Sequence, residues 1–138
     1  MARILAIDYG KKRTGIAVTD PLQIIATGLT TVETKGLVWF LKEYFKKEAV
    51  VEIVLGHPVN LDGSKTDVTD KVEKLFGQLQ KLFPDKEIVL VDERFTSKMA
   101  SAAIAQSGLK KKERQDKGLI DEVSAVILLQ GYLEQKAG

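Results

Sequence analysis

Among the carboxylates that fall where a strand should end or a helix should begin are Asp8, the adjacent pair Asp92 and Glu93, and Asp121. Acids gathered at one place cannot all stay ionised cheaply, because mutual repulsion raises at least one pKa. A hard divalent cation relieves that repulsion. Oxygen ligands without a cysteine or histidine cluster suit Mg²⁺ or Mn²⁺ rather than zinc. Carboxylate-held ions are in turn suited to phosphodiester hydrolysis, one activating the attacking water while a second stabilises the leaving oxygen. Whether these acids meet depends on the elements that carry them.

Ile4 to Ile7 form an apolar run without helical period, the pattern of a strand buried on both faces in a parallel sheet. Tyr9-Gly10 supplies the turn, which puts Asp8 at the carboxyl edge of a central strand, where open α/β sheets place their ligands. A second strand follows over 15–20 after a connection too short for a parallel crossover, so it is antiparallel to the first. Residues 24–32 read as a third, more exposed strand. Helix one is expected over 35–47, with Leu37, Phe40, Leu41, Tyr44 and Phe45 on its core face and Trp39 packing. A fourth strand, 51–55, ends in Gly56-His57-Pro58. Helix two spans about 66–83, with a stripe of Val72, Leu75, Phe76, Leu79 and Leu82. A fifth strand, 88–91, runs into Asp92-Glu93-Arg94. Thr96 or Ser97 can cap a short helix through Gln106, residues 107–118 are polar, and a last helix runs over about 119–135.

The order βββαβαβαα describes an α/β domain: a meander, then two strands each reached through a helix, in a mixed five-stranded sheet of order 3-2-1-4-5. Right-handed helical crossovers make strands four and five parallel to strand one. Asp8 and the Asp92-Glu93 pair therefore share one edge, whereas Asp20 ends an antiparallel strand at the opposite edge and is excluded. Asp121 shares a helical stripe with Ala125, Leu128 and Tyr132. Small Ser124 and Ala125 let that helix lie close to the sheet. An acid in a first helical turn is also favoured by the macrodipole alone, so spacing leaves two readings of Asp121.

The chain of 138 residues is expected to form one domain, 1–138, and no repeat or linker divides it. Absence of cysteine excludes disulfides and thiolate metal sites and, with no membrane-length apolar run or signal layout, leads to an expectation of a cytoplasmic protein without membrane partners. A net charge of +2 does not declare a nucleic-acid binder, so basic surface must come from uneven distribution. Lys11, Lys12 and Arg13 follow Asp8. Lys110, Lys111, Lys112, Arg114 and Lys117 outnumber Glu113 and Asp116 in the polar segment, a balance of +3. Either cluster is solvated surface or a contact to phosphate backbone, steep in salt and poor in sequence information. His57, the only histidine, is either a general acid at the edge or a strand-end residue satisfied locally.

The runs Asp8-Tyr9-Gly10 with Arg13-Thr14-Gly15-Ile16-Ala17, Gly56-His57-Pro58 with Asp62-Gly63, Asp92-Glu93-Arg94-Phe95-Thr96-Ser97, and Asp121 with Ser124-Ala125 and Leu128-Leu129-Gln130 resemble the YqgF (RuvX) family. This ribonuclease H-like group is associated with Holliday junction resolution and with nuclease processing of pre-16S ribosomal RNA. The resemblance spans essentially the whole chain. It implies a ribonuclease H-like fold and a metal-dependent nuclease in which Asp8, Glu93 and Asp121 form the acidic triad, with Asp92 the rival for the middle place. Its implied partner is nucleic acid, a ribosomal RNA precursor or branched DNA, and the expected state is a monomer or weak homodimer. Arg13 and Arg94 flank the acids and either clamp phosphate or pair with the carboxylates. Other readings are a resolvase of four-way DNA junctions, which needs a two-fold dimer, and a catalytically silent nucleic-acid-binding module. An actin-like phosphotransferase would need a second domain.

Overall fold

The computed structural model describes residues 2–58, 64–92 and 117–137. Its strands are β1 (Arg3–Asp8), β2 (Arg13–Thr19), β3 (Ala26–Glu33), β4 (Val50–His57) and β5 (Glu87–Asp92). Among the described residues the helices are α1 (Leu37–Lys47, after a 3₁₀ turn at Thr34–Gly36), α2 (Asp67–Leu82) and α3 (Lys117–Ala137). The five strands form one sheet of order β3-β2-β1-β4-β5, as the connections require. β1 is antiparallel to β2 and parallel to β4, and β4 is parallel to β5.

Alternation along the strands divides the core into two layers. Leu5, Ile7, Ile16, Val18, Ile53 and Leu55 face α1 and α2, meeting Leu37, Leu41, Val72, Leu75 and Leu79. Ile4, Ala6, Ala17 and Val54 face α3 and meet Ala125, Leu128 and Leu129. Each fully buried Leu or Ile contributes about 1.5–3 kcal/mol before entropy is counted. Small residues on both sides of the second layer let α3 sit low. Gly28 of β3 belongs to the same close approach, since a Cβ there would run into the side chain of Glu122.

An ion pair with a buried carboxylate and a half-exposed lysine fixes the other end of α3. Glu52 of β4 is 3% exposed and accepts hydrogen bonds from the Tyr132 hydroxyl and from Lys136 Nζ, the latter at 3.0 Å. Burial, then the bond to Glu52, raises the Tyr132 phenol well above its ordinary range. Glu52 pairs in register with Ile4, near the start of β1. The carboxyl end of α3 is thus tied to the amino edge of the sheet, and its first turns extend towards the opposite edge.

The start of α2 is fixed as firmly. The Thr66 hydroxyl accepts from Thr69 N at 3.2 Å, while Thr69 Oγ1 accepts from Thr66 N at 2.8 Å. This reciprocal capping box satisfies amides that the helix leaves unpaired. The Thr69 hydroxyl also donates to the carbonyl of Pro58, just after β4.

Three expectations are corrected. Trp39 is 68% exposed rather than packed, because α1 turns Leu37 and Leu41 to the core and position 39 falls between them on the outer side. Leu82, the last residue of α2, is 37% exposed rather than part of the buried stripe. The third strand starts at Ala26, not at 24, because Asp20 captures the preceding segment as a turn. Its carboxylate accepts from the amides of Leu22, Ile24 and Ile25 at 3.1, 2.8 and 2.8 Å, with Gln23 in the left-handed region at φ 61°. Those bonds, that from Ile25 foremost, hold the Asp20 pKa below the usual carboxylate value. The short helix expected through Gln106 lies outside the described residues, and the last helix begins two residues earlier than its apolar pattern suggests.

Candidate active site at the carboxyl edge of the sheet

Ile7 pairs with Leu55 and Asp8 with Gly15, while His57 pairs with Asp92. The carboxyl ends of β1, β4 and β5 therefore lie side by side, with Asp8 and Asp92 both on that edge. Asp20 stands at the other edge, in the turn it organises. Asp8 follows Ile4 and Ala6 in strand alternation, which assigns it to the α3 side. Asp121 lies in the second turn of α3, four residues before buried Ala125 and seven before buried Leu128, a position on the stripe that packs on the sheet. Glu93 and Arg94 lie outside the described residues, as do Lys110, Lys111, Lys112 and Arg114. Among the described residues no three potential ligands of His, Cys, Asp or Glu type cluster. Glu93 and the side chains of Asp92 and Asp121 are not among those residues.

His57 is on the edge and is satisfied locally. Its Nε2 lies 3.2 Å from Glu73 Oε2, an arrangement that requires the imidazole N–H to donate. The second oxygen of Glu73 accepts from Lys65 Nζ at 2.9 Å. The bond from Lys65 and then that from His57 lower the Glu73 pKa. A lowered folded pKa means that this carboxylate adds stability above the ordinary carboxylate range and loses it as pH falls through the folded value. His57 is thereby fixed to α2, on the side of the sheet away from α3.

The β1–β2 turn carries Lys11 and Lys12 and is fastened by a residue the sequence did not single out. Thr34, after β3, donates its amide to Lys12 O at 2.9 Å and its hydroxyl to Gly10 O at 2.5 Å, while the Thr14 and Thr34 hydroxyls lie 2.9 Å apart. Gly10 has no space for a side chain, since a Cβ would collide with the backbone carbonyl of Arg13. Backbone cannot swing aside as a side-chain tip can. Gly10→Ala is therefore expected to cost about 1–3 kcal/mol, the range for overpacking. A urea melt showing an unchanged midpoint would contradict this tight turn.

Two adjoining concavities open on this edge. One, of about 490 Å³, is lined by Lys11, Lys12, Arg13, Glu33 and Lys35. The other, of about 510 Å³, lies between α1 and α2 and includes Tyr9, Lys11, Lys35, Lys71 and Lys74. The lysines at 71 and 74 were not among the expected contacts. Their i, i+3 spacing was visible, but the face that α2 turns outward was not.

The sheet order, the parallel trio β1-β4-β5 and an acid-bearing carboxyl edge define the ribonuclease H-like class of α/β proteins. The Holliday junction resolvase of fowlpox virus shares this fold, with a TM-score of 0.59 and 12% identity over 96% of this chain and 99% of that one. The RuvX family model, described as Holliday junction resolvase, matches residues 2–135, and the chain belongs to that family. Curated relatives include proteins of Flavobacterium psychrophilum, 54% identical with 99% of each chain covered, and Phocaeicola vulgatus, 54% identical with 99% of this chain and 98% of the relative covered. A Porphyromonas gingivalis relative is 51% identical with 97% of each covered. All three carry the name "Putative pre-16S rRNA nuclease". The chain is accordingly a nuclease, an enzyme that hydrolyses phosphodiester bonds.

Proposed function

We propose that this chain is a divalent-metal-dependent nuclease that matures the 5′ end of pre-16S ribosomal RNA in the cytoplasm, with Asp8, Glu93 and Asp121 as its catalytic acids. The observation that supports it most is that the carboxyl ends of β1 and β5 lie at one edge, flanking β4, with α3 packed on the face of the sheet to which Asp8 belongs. The donor chemistry fits a hard cation. The acids offer only carboxylate oxygens, the chain has no cysteine, and its single histidine is engaged with Glu73. Asp8, Glu93 and Asp121 would hold Mg²⁺ or Mn²⁺, which when bound supplies charge stabilisation and an activated water for hydrolysis.

The remaining work falls to the chain itself. Asp8 has a firm mount, because residues 4–7 are fully buried and the following turn is stapled by Thr34. Lys11, Lys12 and Arg13 project from that turn beside it and would hold the phosphates that flank the cleavage point; Arg94, Lys110, Lys111, Lys112 and Arg114 are proposed to do the same. Such contacts position a strand without reading its bases, which suits a processing enzyme directed by substrate shape.

The test offers purified protein a 5′ precursor fragment of 16S ribosomal RNA and a four-way DNA junction at equal concentration. Cleavage of the RNA, dependent on Mg²⁺ or Mn²⁺ and abolished by chelator, is the expected result. Symmetric nicking of the junction by a dimer, with the RNA untouched, would instead establish a resolvase.

A further inference from the structure

We infer that the groove between α1 and α2 is a binding track for an unpaired nucleic-acid strand, with Lys35, Lys71 and Lys74 on its phosphates and Trp39 stacking on a base. The inference rests on the nuclease reading and adds the path by which the strand leaves the acids.

The groove starts at the active edge. Tyr9, directly after Asp8, lines it together with Lys11, Lys35, Lys71, Lys74 and Gln78. β3 runs parallel to β1, being antiparallel to β2, so α1 begins at the carboxyl edge just after β3 ends. α2 begins there too, after β4. The groove thus has the positive ends of two helix dipoles at its mouth. Asp8 belongs to the opposite face of the sheet, and the β1–β2 turn with its lysines is the rim between the two. A strand cut at the acids can cross that rim and descend between the helices.

Charge along this path is one-sided. Lys35 and Lys11 make only long, exposed pairs, 3.6 Å to Glu33 and 3.8 Å to Asp67. Lys71 and Lys74 have no ion-pair partner among the described residues, and the helix turns Glu73 away towards His57 and Lys65. An exposed pair of this kind contributes little, so phosphate can displace the carboxylates at small cost. Trp39 is not part of the groove's lining but stands beside it on the outer face of α1, four residues after Lys35; it is 68% exposed, on a helix whose other large apolar side chains are turned inward or half-buried. A lysine-lined groove with a solvent-facing indole on the outer face of one of its two helices offers what single-strand binding without regard to sequence requires, since every base has a face to stack. Duplex bases are already stacked on each other and cannot use it.

Trp39 is the only tryptophan in the chain, so intrinsic fluorescence reports this position alone. Wild-type protein in chelator, where no cleavage occurs, is titrated with a uridine oligomer of about 12 nucleotides, within the span that one groove of this kind covers. Quenching of the emission on binding is expected, with much weaker quenching by a blunt RNA duplex. Trp39→Ala should weaken oligomer binding about tenfold, the effect of losing one stacked base. Replacing Lys35, Lys71 and Lys74 together by Ala should flatten the slope of log affinity against log salt by about 2, at about 0.7 per single-strand phosphate contact. The matched control replaces Lys46, Lys47 and Lys81, which lie at the far ends of the same helices, and should keep the wild-type slope. Equal slopes for the two triple variants, or binding without a change in emission, would overturn the track and leave metal-dependent cleavage untouched. Failure of wild type to bind the oligomer at 50 mM salt would overturn it as well. Loss of cleavage with quenching and slopes as expected would separate the acids' role from the track.

Discussion

Asp8→Asn is expected to lower divalent-dependent hydrolysis by more than about 100-fold while leaving the fold intact. Loss of even an outer partner of a metal ligand costs about 10–100-fold, and here a proposed ligand itself is changed. Asn keeps the size of Asp and one carbonyl oxygen, so the close packing around the end of β1 is preserved. Removing one negative charge from a crowded edge also relieves repulsion. In the absence of metal the variant should melt at the same temperature as wild type or slightly above it. The difference appears on adding Mn²⁺. Ligand at a hundredfold excess over its Kd stabilises the native state by about 2.7 kcal/mol, and most of that gain should vanish in the variant. Cleavage rate and melting temperature, each with and without Mn²⁺, make the comparison. Full activity in Asp8→Asn would remove this residue from the mechanism.

What could be read in advance was governed by range along the chain. The unbroken apolar runs of β1 and β5, with that of β4 interrupted only by Glu52, announce a buried parallel trio, and the rule for short and long connections then orders the sheet. The same logic separates Asp8 from Asp20. Contacts between distant polar residues left no such trace. Thr34 bonds to Gly10, 24 residues away, and nothing about one threonine foretells it. Glu52 sits in an otherwise apolar strand, yet its partners Tyr132 and Lys136 lie 80 and 84 residues on. An isolated acid in a buried strand does signal that a partner exists; it cannot say which. Trp39 is a different failure. Helical period already set it off the stripe of Leu37, Leu41 and Tyr44, and hydrophobicity alone argued for burying it. Period was the better guide. The α1–α2 groove was illegible because it belongs to two helices at once, and the lysines on each look like ordinary solvated charge until the helices are docked.

Glu93→Gln is expected to abolish hydrolysis under saturating metal, whereas Asp92→Asn should retain most of it. Both acids belong to the run that ends β5, and proximity does not choose between them. Strand alternation does. Ile88 and Leu90 pack in the layer under α1 and α2, whereas Val91 packs in the layer under α3. Asp8 follows Ile4 and Ala6 on the α3 side, and Asp121 is carried by α3 itself. Continuing the period of two from Val91 gives position 93, not 92, as the one that shares their side. Glu has one more methylene than Asp, which would suit a residue that follows β5 in the chain and is proposed to serve an ion beside β1, with β4 between the two strands. Asp92 pairs in register with His57, whose ring is engaged with Glu73 on the other side of the sheet. The expected loss for Glu93→Gln is again more than about 100-fold, and for Asp92→Asn less than about tenfold. Saturating Mn²⁺ is needed so that weakened metal affinity is not mistaken for lost chemistry. A second measurement guards against misfolding: the Glu93→Gln protein should melt without metal at the wild-type temperature or above and should gain less from Mn²⁺, as Asp8→Asn does. The opposite pair of results, an active Glu93→Gln beside an inactive Asp92→Asn, would mean that β5 breaks its alternation at the edge and that Asp92 is the middle acid.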